Sequence, residues 1–293
     1  MKSPLSALTT QHSPLTTHHN GTARTLSRSR RPLRLITYLA PNLFWFYQFV
    51  SRHLAKKLRY PTEISVGSDY AQLRERADIA FICGLPYVEH TLLGDPHFEP
   101  LVAPVLTPER YSGKPIYFSD VIVHRDSPFR CFADLRGRSW AYNELQSQSG
   151  YGIVRYHLVQ KGETNGYFSR VIAAGYHERA IHMVNSGEVD ASAIDSHVLA
   201  LLVRDKPAIA SNLRVIDTFG PSPIQPIVAG NHLSHSLKSQ VKKVLLEMGD
   251  DPMAKPELAR ALVNRFESVS NSTYDDIRRM QAVAEAAQFL TIR

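Results

Sequence analysis

The residues of this chain best suited to hold an anion are Ser147-Gln148-Ser149-Gly150. Before them Trp140, Ala141 and Tyr142 read as the end of a β-strand. After them Gln148 to Gln160 reads as a helix, with Tyr151, Val154, Leu158 and Val159 at helical spacing. A helix that opens on two serines brings hydroxyls, unpaired backbone N–H groups and the positive end of the helix dipole to one place. Gly150 lets a ligand come close to the backbone. Phosphate-like groups are held in this way where a strand runs through a short polar turn into a helix. A lone Ser-x-Ser-Gly is also an ordinary serine N-cap, so the rest of the chain must decide. His177 is the second candidate, because it opens the helix after the strand at Phe168 to Ala173 and that helix start faces the same sheet edge as Ser147.

The elements that must position these residues alternate. Leu33 to Tyr38 is apolar and β-rich, Asn42 to Leu58 has helical spacing, Glu63 to Val66 reads as a strand and Tyr70 to Arg76 as a short helix. Asp78 to Cys83 reads as a buried strand ending in the turn Gly84-Leu85-Pro86-Tyr87. Strands follow at Leu101 to Leu106 and Pro115 to His124, then a short helix at Phe132 to Arg138. Beyond the serine helix come a helix at His177 to Ser186, a strand at Asp190 to Ile194, a helix from Ser196 to Val203, and strands at Leu213 to Phe219 and Gln225 to Ala229. Helices at His235 to Met248, Pro256 to Phe266 and Tyr274 to Phe289 are expected to close the chain. Repeated β-α-β units with short links predict an α/β fold with a mostly parallel, helix-covered sheet, whose ligands sit at the carboxyl ends of strands. The aromatic run Phe44-Trp45-Phe46-Tyr47 is dense enough to suggest ligand stacking, but at helical spacing it reads rather as core with one or two ring edges exposed.

Composition narrows the function classes. A chain of 293 residues has room for two lobes. The net charge of +7 is unevenly spread, because no acidic residue precedes Glu63 while residues 1–62 carry ten of the 34 basic ones. The body is thus mildly acidic behind a basic leader, and it lacks the interleaved basic and aromatic pattern of a nucleic-acid binder. Residues 1–32, rich in Ser, Thr, His and Arg, are expected to be disordered. Ser29-Arg30-Arg31-Pro32-Leu33-Arg34 loosely matches a twin-arginine export signal with Leu35 to Val50 as its apolar stretch. Pro41-Asn42 interrupts that stretch and no small-residue cleavage site follows, so no convincing signal peptide is read. Cys83 and Cys131 form neither a metal knuckle nor a disulfide framework, and no cofactor or metal site is expected.

Five motifs in order carry a resemblance: Phe132-Ala133-Asp134-Leu135-Arg136-Gly137-Arg138, Ser147-Gln148-Ser149-Gly150, Gly175-Tyr176-His177-Glu178, Gly187-Glu188-Val189-Asp190-Ala191 and Ile194-Asp195-Ser196. Together they resemble the periplasmic phosphonate-binding (PhnD-like) family, solute-binding components of ABC importers for phosphonate, phosphite and phosphate. The likeness runs from about Leu33 to Phe266. It implies a type II periplasmic-binding-protein-like fold, two α/β lobes joined by two crossing strands around a ligand cleft. Lobe one would comprise 33–119 and 221–293 and lobe two 120–220, with crossings within Pro115 to His124 and Ile216 to Ala229. The family's Ser-Thr-Ser-Gly helix start, which holds the phosphonate oxygens, falls on Ser147, Gln148, Ser149 and Gly150, with Gln148 in place of threonine. His177 would donate a ring N–H to the anion, Tyr87 and Tyr117 resemble aromatic residues that close over the ligand, and Asp195 falls near an acidic position that meets the ligand's organic end.

A carboxylate beside an oxyanion is repulsive unless a proton or cation lies between them. Asp195 would therefore pair with a ligand ammonium or accept from a P–OH, or else simply cap the Ser196 helix. His177 is expected to titrate in the ordinary window between about pH 5 and 8 and to make binding pH-dependent there. The expected function is a non-enzymatic binding protein for a phosphorus oxyanion, serving an ABC permease or a sensor, monomeric and without a nucleic-acid partner. The resemblance places it in the periplasm, and a cytoplasmic location stays open. An enzyme on the same scaffold would use His177 as acid or base and Ser147 or Ser149 as nucleophile, yet no triad signature accompanies them.

Overall fold

The computed structural model describes residues 31–92 and 97–293, so the leader expected at residues 1–32 lies outside the described residues except for Arg31 and Pro32. The first part of the chain forms β1 (Leu33–Thr37), α1 (Phe44–Leu58), β2 (Thr62–Val66), α2 (Leu73–Arg76), β3 (Ile79–Phe81), α3 (Gly84–Leu92), β4 (Phe98–Leu106) and β5 (Ile116–His124). The middle forms β6 (Ser139–Tyr142), α4 (Ile153–Gln160), β7 (Arg170–Ala173), α5 (His177–Ser186), β8 (Ala191–Asp195), α6 (Ser196–Asp205), α7 (Pro207–Ala210), β9 (Leu213–Pro223) and β10 (Ile227–Gly230). The last part forms α8 (His235–Leu246), α9 (Lys255–Arg260), β11 (Val263–Ser268) and α10 (Asp275–Ala286).

These strands make two sheets, one of six in the order β11-β4-β10-β3-β1-β2 and one of five in the order β7-β6-β8-β5-β9. In the first, β1 is apolar on both faces and lies between two parallel neighbours, Leu35 opposite Ile79 of β3 and Ile64 of β2. Its Leu33, Leu35 and Ile36 share a core with Val50 and Leu54 of α1. The second sheet is covered on both faces. Trp140, Val154 and Leu158 belong to one cluster, and Ala141, Ile181 and Leu202 to the other.

The chain passes from the first sheet to the second between β4 and β5 and returns between β9 and β10. β5 and β9 pair antiparallel, with Ile116 opposite Pro223 and His124 opposite Leu213, so the two passages run side by side. The chain end departs from the pattern expected of 221–293, because Met280, Phe289 and Ile292 pack with Trp140 of the second sheet and Val154 of α4.

The sheets are mixed rather than mostly parallel, because β10, β4 and β11 in the first and β5 and β9 in the second pair antiparallel. Two local expectations are corrected as well. Pro256 to Phe266 is not one helix: Leu258, Leu262 and Phe266 lie four apart and mimic a helix face, but Leu262 takes φ 55° and ends the helical stretch. The next residues join the sheet edge as β11, antiparallel to β4. Gly84 to Tyr87 is the first turn of α3 rather than a loop, and Pro86 fits there because a first turn has no use for its missing N–H.

Candidate functional site

Three neighbouring strands of the second sheet, β7, β6 and β8, run parallel and end at one edge. Each leads into a helix at that edge. After β6 the loop reaches Ser147, whose Oγ accepts from the Gly150 N–H at 3.0 Å. The hydroxyl proton of Ser147 is thereby left free to donate. Gln148 to Gly152 form one wide, π-helical turn before α4, a device found often at functional sites. After β7 the Ala174 and Gly175 N–H groups donate to Tyr142 and Asn143 carbonyls, both at 2.7 Å. That pairing sets the start of α5 beside the serine turn, and Gly175 takes φ 89°, a value that other residues rarely adopt. His177 then lies with Nε2 3.2 Å from Ser149 Oγ, while its buried Nδ1 has no partner among the described residues. Burial lowers its pKa to about 4 against the opposing pull of Asp195, so the ring is neutral near pH 7. The expected titration between pH 5 and 8 is corrected accordingly.

Asp195 ends β8 and caps α6. Its Oδ1 accepts from the His197 and Val198 N–H groups at 2.8 and 3.3 Å, and its Oδ2 from Gln225 Nε2 at 2.5 Å. Burial nevertheless raises its pKa, opposed by His177 and these donors.

A cavity of about 300 Å³ opens between this edge and the first sheet, lined by Ser147, Ser149, His177 and Asp195. Among the described residues lining it there is no lysine or arginine. The other four expected residues stand back from it. Gln148 turns its amide away toward Met280 Sδ at 3.2 Å, and its backbone N–H meets the Cys83 thiol at 3.3 Å. Gly150 faces Asn143 rather than the cavity, and a Cβ there would have to displace the Asn143 Oδ1. Tyr87 is buried in the first core, its hydroxyl held by Asn271 Oδ1 at 2.8 Å and its ring edge-on to Tyr274. Tyr117 is buried on β5 behind Ser149 and Cys83. Neither tyrosine reaches the cavity wall, so neither closes directly over it.

Other cavity residues read as core in the sequence or carry little local signal there. Tyr47 of α1 lines the wall rather than serving only as core, its ring 4.7 Å from Phe81 and its phenol near Asp195. Glu144 lies in the loop three residues before Ser147, and burial pushes its pKa up to about 7. Its place between a strand end and a helix start was the available signal. Gln225 follows β9 and reaches Asp195 from the returning passage, which no local pattern reveals.

Two α/β units around a cleft, joined by paired passages, with helix starts and neutral donors at its wall, define the class of two-lobed ligand-binding proteins. The family described as "ABC transporter, phosphonate, periplasmic substrate-binding protein" matches residues 38–274, and the chain belongs to it. Similar to it is the phosphonates-binding periplasmic protein of Escherichia coli, 26% identical over 178 residues, 59% of this chain and 52% of that protein. The chain thus spans about half the length of the curated relative it matches. Among solved structures, a binding protein component of an ABC phosphonate transporter from Pseudomonas aeruginosa is 20% identical, covers 88% of each chain and has a TM-score of 0.77. PhnD1 from Prochlorococcus marinus, solved with methylphosphonate, is 20% identical, with 85% of this chain and 97% of that one covered and a TM-score of 0.76. These likenesses establish the two-lobed type II periplasmic-binding fold.

Proposed function

We propose that this protein captures a phosphorus oxyanion, a phosphonate, phosphite or phosphate, in the cavity between its lobes and hands it as a monomer to an ABC permease in the periplasm. The observation that carries this reading is the convergence of Ser147, Ser149 and His177 at one cavity wall, where two helices begin. Neutral hydroxyl, imidazole and helix-start donors suit an oxyanion without a cationic side chain. Family membership supports the same reading, as does the methylphosphonate held by the Prochlorococcus protein. The Ser149–His177 pair at 3.2 Å has the form of a nucleophile and its base, but among the described residues nothing holds Nδ1, and the orienting group that such a pair needs is not found there.

The test is calorimetric titration of the full chain with phosphate, phosphite, methylphosphonate and sulfate. Saturable binding of phosphorus anions in preference to sulfate, with the ligand recovered unchanged, is expected. A protein that binds none of the phosphorus anions would overturn the reading.

A further inference from the structure

The strand order of the first sheet lays the cavity out along one line. At the β2 side its wall is Tyr38, Val66, Gly67 and Ser68, and Val66 is 63% exposed, so this side opens to solvent. In the middle, at the end of β3, Cys83 meets the serine turn through Gln148 N. At the other side the wall comes from Ile227 of β10, Pro104 of β4, and Val263 and Phe266 of β11. Phe46 of α1 stacks on Phe266 there, ring centroids 6.4 Å apart and 8° from parallel. Val198, in the first turn of α6, covers the same side, since its neighbour His197 bonds through Nε2 to the Ala261 carbonyl just before β11 at 2.6 Å. Phe46, Phe266 and Val198 are each only 3% exposed.

Two polar side chains toward that end are already engaged, while the Tyr47 phenol near Asp195 also lines the cavity. His197 is tied to Ala261, and Asp195 already accepts from two backbone N–H groups and from Gln225. An inorganic anion would use the serine wall and leave the apolar side empty, whereas a cavity of about 300 Å³ is of the size that takes small organic molecules, roughly 300 to 1,000 Å³.

Building on the oxyanion reading above, we infer that the ligand is an organophosphonate with an uncharged apolar substituent of two or more carbons, selected by Phe46, Phe266 and Val198. The oxyanion sits at the serine turn in the middle of the line, and the substituent lies toward β11 rather than toward the solvent side. An ammonium at the same place would exchange its water shell for aromatic and aliphatic walls and for a carboxylate with three donors already on it.

The experiment is calorimetry on the full chain with methylphosphonate, ethylphosphonate, propylphosphonate and 2-aminoethylphosphonate. The last matches the propyl compound atom for atom, with an ammonium in place of the terminal methyl. Propylphosphonate should bind about 15-fold tighter than methylphosphonate, at about 0.8 kcal/mol for each added methylene, and at least tenfold tighter than the aminoethyl compound. Methylphosphonate binding with equal or weaker binding of the propyl compound would overturn the inference and leave the oxyanion reading standing. So would an aminoethyl compound that matches or exceeds the propyl one. Failure of every phosphonate and of phosphate would overturn both. Val198→Thr keeps the shape of the side chain but adds a hydroxyl to the apolar wall. It should cut the propyl-to-methyl affinity ratio at least threefold, a ratio that cancels any general loss of folded protein. An unchanged ratio would remove the substituent from the β11 side.

Discussion

Ser147 uses its oxygen to cap the turn and keeps its proton for a ligand, so its removal deletes both a cap and a charge-assisted donor. Ser147→Ala should weaken oxyanion binding by roughly 1.5 to 3 kcal/mol, the usual worth of a hydrogen bond to a charged group, and unchanged calorimetric affinity would place the anion elsewhere. The pH dependence belongs to another residue. His177, lowered to about 4 by burial, stays neutral from pH 6 to 8, while Glu144, raised to about 7 by burial, loses its proton within that range. Tyr70 and Cys83, which feel its charge, are both pushed up by burial and add no charge there. Below pH 7 Glu144 is neutral, and above it the carboxylate repels the anion, so affinity should fall as pH rises. Glu144→Gln removes that component, and the variant should bind tighter than the natural protein at pH 8 by on the order of 1 kcal/mol, with little difference at pH 6. The comparison cancels the ligand's own titration. Equal profiles for the two proteins would show that Glu144 does not face the bound anion.

At the scale of elements, what could be read from the sequence was what is local. Ser147, Ser149, His177 and Asp195 each stand where a strand gives way to a helix, and a strand-turn-helix pattern is visible along the chain. Direction across that pattern is not. Gln148 lies between the two serines, yet the wide turn sends its side chain to Met280, 132 residues away. Tyr87 sits away from the cavity because Gly84 to Leu92, which reads as no more than a turn in the sequence, is a helix that sets the ring in the core. Tyr47 and Gln225 reach the cavity only because distant elements meet there. The same holds for β11, whose pairing with β4 outweighs a helical spacing. A comparable long-range tie fixes β1. Buried Asp78, just before β3, accepts from Arg31 Nη1 and Nη2 at 2.7 and 2.9 Å, from the Arg34 N–H at 2.8 Å and from His232 Nε2 at 2.8 Å. Burial alone would raise its pKa, but these donors together hold it well below the usual carboxylate range. Asp78→Ala should therefore lower stability at pH 7 by roughly 1 to 3 kcal/mol, the penalty for stranding buried donors, seen as an earlier urea midpoint. A depressed carboxylate contributes above its unfolded pKa of about 4 and loses that contribution below it, so the gap between the two proteins should narrow in acid. A midpoint unmoved at pH 7 would mean that the pairing of β1 with its neighbours needs no such clamp.

Over the whole molecule, several polar contacts join the two lobes, and one of them spans the cleft beside the site. Glu178, in the first turn of α5, accepts through Oε1 from the Asn42 N–H ahead of α1 at 2.9 Å. The contact joins the second-sheet helix that carries His177 to the first-sheet helix that carries Tyr47 and Phe46. Among the described residues, Glu178 Oε2 and Asn42 Oδ1 are buried without hydrogen bonds. A carboxylate at the amide end of a helix is favoured by the helix dipole as well as by the bond itself. Since it lies across the lobes, this bond stabilises the arrangement in which the serine wall and the aromatic wall face one another, and an open form must give it up. Affinity depends on how much of the population is already closed, so loosening the closed form weakens binding without touching the ligand. Glu178→Ala should shift the ligand-free protein toward a larger radius of gyration in X-ray scattering and weaken oxyanion binding by roughly 1.5 to 3 kcal/mol at most, while Glu178→Gln, which keeps an acceptor, should recover part of the loss. Weaker binding with no change in scattering would make Glu178 a support for His177 alone, and no change in either would show that the lobes close without this contact.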